Sequence, residues 1–283
     1  MDTKNLRISE PHFDWASLTV QLSPESIIDT LLRKVKGAWR VRAALSHNKG
    51  YTQAFEVLDV EDNPLCTVEA GASHGWNLIS ASGTQPNAEV VEAVRVMAAQ
   101  GAAARATRLD SAIDVLGGDF DQLAGLVEIA ATQPKNGAPV RARARYDYGT
   151  GRTLYVGSKS SAVLVRVYEK GLEQRSKGKS DAPLDWVRLE LQWRPNGVKR
   201  TAALGASPAE VWGASAWTAD VARQLLGDNV QHVATPPEIT SFEQSYAWLC
   251  KSASRIFDRA VTRYGLMSVL ADMGIDDVTD VLE

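Results

Sequence analysis

The stretch that most limits what this chain can become runs from Arg152 to Gly171, Arg-Thr-Leu-Tyr-Val-Gly-Ser-Lys-Ser-Ser-Ala-Val-Leu-Val-Arg-Val-Tyr-Glu-Lys-Gly. β-Branched and aromatic residues flank a Gly-Ser-Lys-Ser cluster of turn formers, so it reads as two strands joined by a tight turn. Side chains on a strand alternate between its two faces. Arg166, Tyr168 and Lys170 therefore share one face of the second strand, and Val165 and Val167 share the other. A tyrosine held between two cations would ionise more readily and would attract a phosphate group.

The segments around this stretch have the same texture. Phe13 to Val20 reads as a strand, and Ser23-Pro24-Glu25 after it is a helix start, with Ile27, Ile28, Leu31, Leu32 and Val35 at helical spacing. Short strands are expected near 38–45, 51–58, 64–70 and 75–82, divided by turn clusters such as His47-Asn48-Lys49-Gly50, and a helix near 87–103. Arg108 to Val115 alternates polar and apolar residues, which sets Arg108, Asp110 and Asp114 on one face of a strand. A helix opening at Asp119 follows, then strands at 139–147, 152–158 and 186–193, the last placing Arg188, Glu190 and Gln192 together. Strand, helix, several strands and helix are thus written at 13–103 and again at 107–193, a pattern open to reading as an internal duplication. After Pro195-Asn196-Gly197 the texture becomes helical, with a break at Pro236-Pro237. The expectation is an α+β protein: antiparallel sheet with packed helices over residues 1–200, and a helical C-terminal region over 201–283. In that region Trp248, Ile256, Phe257 and Tyr264 read as packing or dimerisation residues.

Composition narrows the class. An apolar share of 45% and a charged share of 23% are globular values. No apolar run approaches the roughly 18 residues of a membrane span, and the start Met1-Asp2-Thr3-Lys4-Asn5 lacks the apolar centre of a signal peptide. A cytoplasmic protein with two reduced structural thiols, Cys66 and Cys250, is expected. Net charge is only −3, yet residues 139–200 hold 14 Lys or Arg against 6 Asp or Glu. One cationic surface that faces phosphate would explain the imbalance, and so would a solvated strand carrying Arg141, Arg143 and Arg145. Lys177-Gly178-Lys179-Ser180 is no phosphate loop, because that motif needs glycine where Glu173 stands.

Four runs carry a resemblance. Thr-Arg-Leu-Asp-Ser-Ala-Ile-Asp at 107–114, Thr-Leu-Tyr-Val-Gly-Ser-Lys-Ser at 153–160, Arg-Val-Tyr-Glu-Lys-Gly at 166–171 and Val-Arg-Leu-Glu-Leu-Gln at 187–192 resemble the rolling-circle replication initiation factors of filamentous phages and small plasmids. The likeness spans roughly residues 12–200, and four motifs in the family's order are more specific than any one. It implies an HUH-endonuclease-like fold and a metal-dependent endonuclease that nicks one DNA strand at an origin, leaving a 5′-phosphotyrosine and a 3′-hydroxyl primer, and later rejoins the strand.

The resemblance puts the nucleophile at Tyr168, ahead of Tyr155 and Tyr146, with Lys170 binding phosphate or assisting the leaving oxygen. Arg108, Lys159, Arg166 and Arg188 would contact DNA. Asp110, Asp114 and Glu190 would offer hard oxygen ligands to Mg²⁺ or Mn²⁺. The bland alternatives are ion pairs with Arg108 for the aspartates, with Arg188 and Arg194 for Glu190, and sheet packing for Tyr168. Many rolling-circle nucleases hold their metal with a His-hydrophobic-His pair, and His12, His47, His74 and His232 make no such pair. Expected partners are origin DNA, single-stranded or hairpin at the nick, a host helicase and a second copy of the chain. Two rival readings are an origin-binding repressor without chemistry and a conjugative relaxase with the same chemistry.

Overall fold

The computed structural model describes residues 6–45, 48, 50–134, 139–140, 143–147, 149, 151–227, 257–266 and 268–269. The turn, strand, break and aromatic expectations that fall on His47, Arg141, His232, Pro236-Pro237, Trp248, Cys250 and Ile256 lie outside them. In chain order the elements are β1 (Arg7–Ile8), β2 (His12–Val20), α1 (Pro24–Lys34), β3 (Arg40–Ala44), β4 (Gln53–Leu58), β5 (Pro64–Ala70), β6 (Asn77–Ser82) and α2 (Thr84–Ala99). Then come β7 (Ala104–Leu116), α3 (Phe120–Thr132), β8 (Arg143–Asp147), β9 (Arg152–Val156), β10 (Val163–Glu169), α4 (Lys170–Ser176) and β11 (Val187–Trp193). Three further helices follow, α5 (Lys199–Leu204), α6 (Pro208–Val211) and α7 (Ala216–Leu226), and residues 257–264 are also helical.

Among the described residues the strands form one sheet in the order β3-β4-β5-β6-β2-β7-β11-β10-β9-β8, with β1 beside the end of β7. Neighbouring strands are antiparallel throughout. Both halves trace one path. A central strand (β2 or β7) leads into a helix, the chain then jumps to the sheet edge (β3 or β8), and a four-strand meander returns to the centre. β2 and β7 pair with each other, so the two paths meet at the middle of the sheet.

Local chemistry explains the boundaries. The Ser23 hydroxyl accepts from Ser26 N and Pro24 fills the first turn of α1, an arrangement typically worth ~1 kcal/mol. Asp119 caps α3 by accepting from Gln122 N at 2.8 Å. Ser207 with Glu210, and Ser215 with Thr218, close capping boxes on α6 and α7.

The two faces of the sheet differ in chemistry because β7 alternates. Leu109, Ile113 and Val115 are fully buried against the helices. Ser111 on that face donates to the Pro208 carbonyl and accepts from Nε1 of the buried Trp212. Arg108, Asp110, Ala112 and Asp114 therefore point to the opposite face, where the polar residues of β10 and β11 also lie. Trp212, Trp217, Val221 and Leu225 belong to the same core cluster as the sheet. The compact unit accordingly runs from Met1 to Pro236, with a second unit from Pro237 to Glu283. α5 to α7, which the sequence assigns to a C-terminal helical region beginning at 201, pack on the sheet.

Candidate active site

Strand register brings the expected residues onto one face. Arg166 of β10 is paired with Glu190 of β11, and Tyr168 with Arg188. On the other side of β11, Arg188 is paired with Asp114, Glu190 with Ala112 and Gln192 with Asp110. Beyond β7, His12 is paired with Ala112 and Trp15 with Asp110. Glu190 thus lies diagonal to both aspartates, with the small Ala112 side chain between them.

The Tyr168 hydroxyl donates to Glu190 Oε2 at 3.3 Å. Arg166 binds the other carboxylate oxygen of Glu190, and its guanidinium carbon lies 5.6 Å from the Tyr168 ring centroid. The Lys170 ammonium lies 5.4 Å from the same ring. The tyrosine is thus flanked by two cations. Lys170 reaches its position differently from the sequence expectation: it is the first residue of α4 rather than the last of the strand, and it pairs with Glu173 at 2.6 Å.

The expected ease of ionisation is overturned. Burial pushes the Tyr168 phenol well above the usual tyrosine range, Glu190 adds to the rise, and Arg188 and Arg166 only partly oppose it. A partly buried hydroxyl that already faces a carboxylate loses more by acquiring charge than the cations return.

The three carboxylates are each held by an arginine. Arg188 donates to both oxygens of Asp114, Nε to Oδ1 at 2.7 Å and one terminal nitrogen to Oδ2 at 2.8 Å. Its other terminal nitrogen reaches Asp14 Oδ1 at 2.6 Å, and Trp186 Nε1 donates to Asp114 Oδ1 at 2.6 Å. Arg108 chelates Asp110, with Nε to Oδ1 at 2.8 Å. Burial raises the Asp110 carboxyl to about 6, against the pull of Arg108 and with Glu190 adding to the rise. Burial would raise Asp114 too, but the bonds from Arg188 and Trp186 hold it below the usual range.

Among the described residues, no group of three or more His, Cys, Asp or Glu is gathered closely enough to hold a metal ion. The expected three-carboxylate centre for Mg²⁺ or Mn²⁺ does not fit this arrangement, because guanidinium groups occupy the positions a cation would take.

Other expectations shift as well. Arg188 is 7% exposed and locked between Asp14 and Asp114, so it is a buried ion-pair centre and offers no free contact to DNA. Arg108 and Arg166 are about one third exposed and stay open to an incoming phosphate. Lys159 is exposed on the turn between β9 and β10, away from the carboxylates. On β8, Arg145 turns to the helix-covered side and pairs with Glu128 and Asp121 of α3, so part of the basic segment neutralises a helix. Cys66 is buried and free, its thiol pushed up to about 12 by burial, which makes it unreactive.

Sequence reasoning missed Asp14, His12, Trp15 and Trp186. Asp14 reaches Arg188 because the β2–β7 pairing slips between Phe13 and Trp15. His12 Nε2 is buried without a hydrogen-bond partner, 3.7 Å from Asp114 Oδ2. Arg108 also lies over the Trp15 ring at 5.1 Å.

Comparison with known proteins returns the family that the sequence resembles, over part of the chain. Residues 104–204, the span that carries Asp110, Asp114, Tyr168 and Glu190, match the family model described as replication initiation factor. No curated protein matches the chain. Among solved structures it is similar to the rolling circle replication initiator protein from Geobacillus stearothermophilus, at 20% identity and a TM-score of 0.46, over 66% of this chain and 75% of that one.

Proposed function

We propose that this chain, whose residues 104–204 match the replication initiation factors, starts rolling-circle DNA replication by nicking one strand at an origin through Tyr168. The observation that carries the reading is the Tyr168 hydroxyl donating to a buried carboxylate between two cations. As the phenol oxygen bonds to phosphorus, its proton passes to Glu190 Oε2, and the 3′-oxygen leaves with the bonding electron pair. Arg166 and Lys170 flank the phosphorus and stabilise the charge that builds on its oxygens. Lys170 is the cation available to the leaving oxygen. The covalent 5′-phosphotyrosine keeps the energy of the broken bond for the later rejoining.

An incoming phosphate supplies what the resting site lacks. Its negative charge competes with Glu190 and Asp110 for Arg166 and Arg108, which are the more exposed partners in their pairs. The described carboxylates do not fit a metal as they stand. Excess chelator reads any requirement for Mg²⁺ or Mn²⁺: undiminished nicking agrees with this arrangement, and abolished nicking overturns it.

The wider proposal has residues 1–200 as the nicking region, and the shared path of its halves supports reading 13–103 and 107–193 as an internal duplication. Residues beyond α7 would serve assembly, including a homodimer. A bacterial cytoplasm, a host helicase and an unpaired or hairpin origin complete it. No described helix is long and apolar enough to cross a membrane.

The test is incubation with single-stranded origin DNA, denaturing electrophoresis, and mass spectrometry of the DNA-linked peptide. A peptide carrying Tyr168 is expected, and one carrying Tyr155 overturns the assignment. Two observations favour a second reading, an origin-binding protein without chemistry: the phenol is pushed upward and Asp110, Asp114 and Glu190 are each arginine-paired. That protein would shift DNA on a native gel and leave no covalent product.

A further inference from the structure

Beside the Tyr168 site, the same face of the sheet holds a hollow of about 250 Å³ lined by Ala144, Tyr146, Tyr155, Gly157, Lys159 and Leu164. We propose that this hollow receives one unpaired base of the DNA strand next to the scissile phosphate, stacked against Tyr155 and Tyr146, with Lys159 on the adjoining phosphate. The inference rests on the nicking reading and adds to it a base-binding subsite.

Tyr155 of β9 is paired with Arg166 of β10, which in turn is paired with Glu190. The hollow therefore begins one strand away from the cation that flanks Tyr168, about 4.8 Å along the sheet. A strand whose phosphate lies at Tyr168 meets the hollow with a neighbouring nucleotide.

Tyr146 and Tyr155 meet edge to face, with ring centroids 5.8 Å apart and planes at 79°. Tyr146 is half exposed, a costly place for a large ring that serves packing alone. Ala144 stands opposite Tyr155 and contributes only a methyl group. Gly157, at φ +102°, has no side chain, and a Cβ there would meet the Val163 carbonyl oxygen at 2.7 Å. Two aromatic walls, a small floor and one cation suit a planar ring that carries a phosphate, since every base has a face that can stack.

The turn that presents Lys159 is pre-set. Ser161 Oγ accepts from Ser158 N at 3.1 Å and lies 2.7 Å from the carbonyl oxygens of Ser158 and Val163. Arg194 donates to the Lys159 carbonyl at 2.9 Å. A turn fixed from both sides gives up little freedom on binding.

The experiment measures binding of the full chain to a fluorescent twelve-residue oligothymidylate and to a fully abasic strand with the same phosphates. Wild type is expected to favour the thymidylate. Tyr155→Leu and Tyr146→Ala should each weaken thymidylate binding by about 5- to 150-fold and leave the abasic strand unchanged, while Tyr155→Phe keeps the preference. Lys159→Ala should weaken both strands alike. Thymidylate binding unchanged in Tyr155→Leu, or equal losses on both strands, overturns the subsite. Tyr168→Phe separates the two readings: it should lose the covalent product and keep the base preference. If wild type binds neither strand, the subsite falls; the nicking reading falls only if origin DNA also yields no covalent product. If it forms the covalent product without preferring bases, only the subsite falls.

Discussion

The Tyr168 hydroxyl and Glu190 Oε2 face each other across 3.3 Å on neighbouring antiparallel strands, two register positions apart. That offset sets each residue opposite an arginine rather than opposite the other, Tyr168 against Arg188 and Glu190 against Arg166. The diagonal contact makes Glu190 at once the acceptor for the phenol proton and one reason the phenol holds it.

Replacing Glu190 by Gln separates those two effects. Burial keeps the Tyr168 phenol high, but without the carboxylate charge its titration should move down, as ultraviolet titration against Tyr168→Phe would read. Covalent adduct formation should fall by about 10²- to 10⁴-fold, the usual worth of a placed base. An adduct rate equal to wild type would remove Glu190 from the chemistry.

Arg188 is predicted to be a keystone of stability. It is 7% exposed between Asp14 and Asp114, so Arg188→Met leaves two carboxylates facing each other without a counter-charge. Breaking a buried pair from one side costs about 3–5 kcal/mol. Denaturant unfolding should show that loss, and adding Asp14→Asn and Asp114→Asn should restore part of it. Arg108→Met leaves the buried Asp110 carboxylate without its counter-charge and should also lower stability, while weakening DNA binding.

Much of this arrangement was legible in the sequence. The alternation in Arg108 to Val115 and in Val187 to Trp193 places Asp110, Asp114, Arg188 and Glu190 on one face, because a two-residue period needs no tertiary information. Strand pairing was not legible, and pairing decides which charges meet. Nothing in the run Phe13-Asp14-Trp15 announces the slipped register that carries Asp14 to Arg188. Nor does the Arg-Val-Tyr-Glu-Lys run show that the strand ends at Glu169, so that Lys170 reaches the ring from a helix. Residues 207–226 read as helical and hold α6 and α7, yet the burial of Trp212 on Ser111 depends on a partner a hundred residues away.

Acid sensitivity is predicted at the helix that carries Lys170. Burial would raise the Glu173 carboxyl, but hydrogen bonds from Lys170 and Lys177 reverse this and hold it at about 2. A folded value below the unfolded one, about 4.3, gives stability that is present above pH ~4.3 and is lost as pH falls toward 2. Glu173→Gln should flatten that part of the stability curve against wild type. An unchanged acid limb would show that the Glu173 pairs contribute nothing there.

Gly171 is predicted to fix the same helix from the other side. Its amide donates to the Trp186 carbonyl at 2.9 Å, and a Cβ at this position would overlap the carbonyl oxygen of Pro183. Backbone is what it meets, so no side-chain rotation relieves the overlap, and the loop before β11 must move. Overpacking of this kind costs about 1–3 kcal/mol. Gly178→Ala is the control: at φ +90° it is strained, but nothing lies within 4 Å of its Cβ. Gly171→Ala should therefore lower the unfolding midpoint more than Gly178→Ala. It should also slow adduct formation, because Trp186 holds Asp114 and the residue before the glycine is Lys170. Equal midpoints and equal rates in the two variants would mean that the loop yields freely and does not position the site.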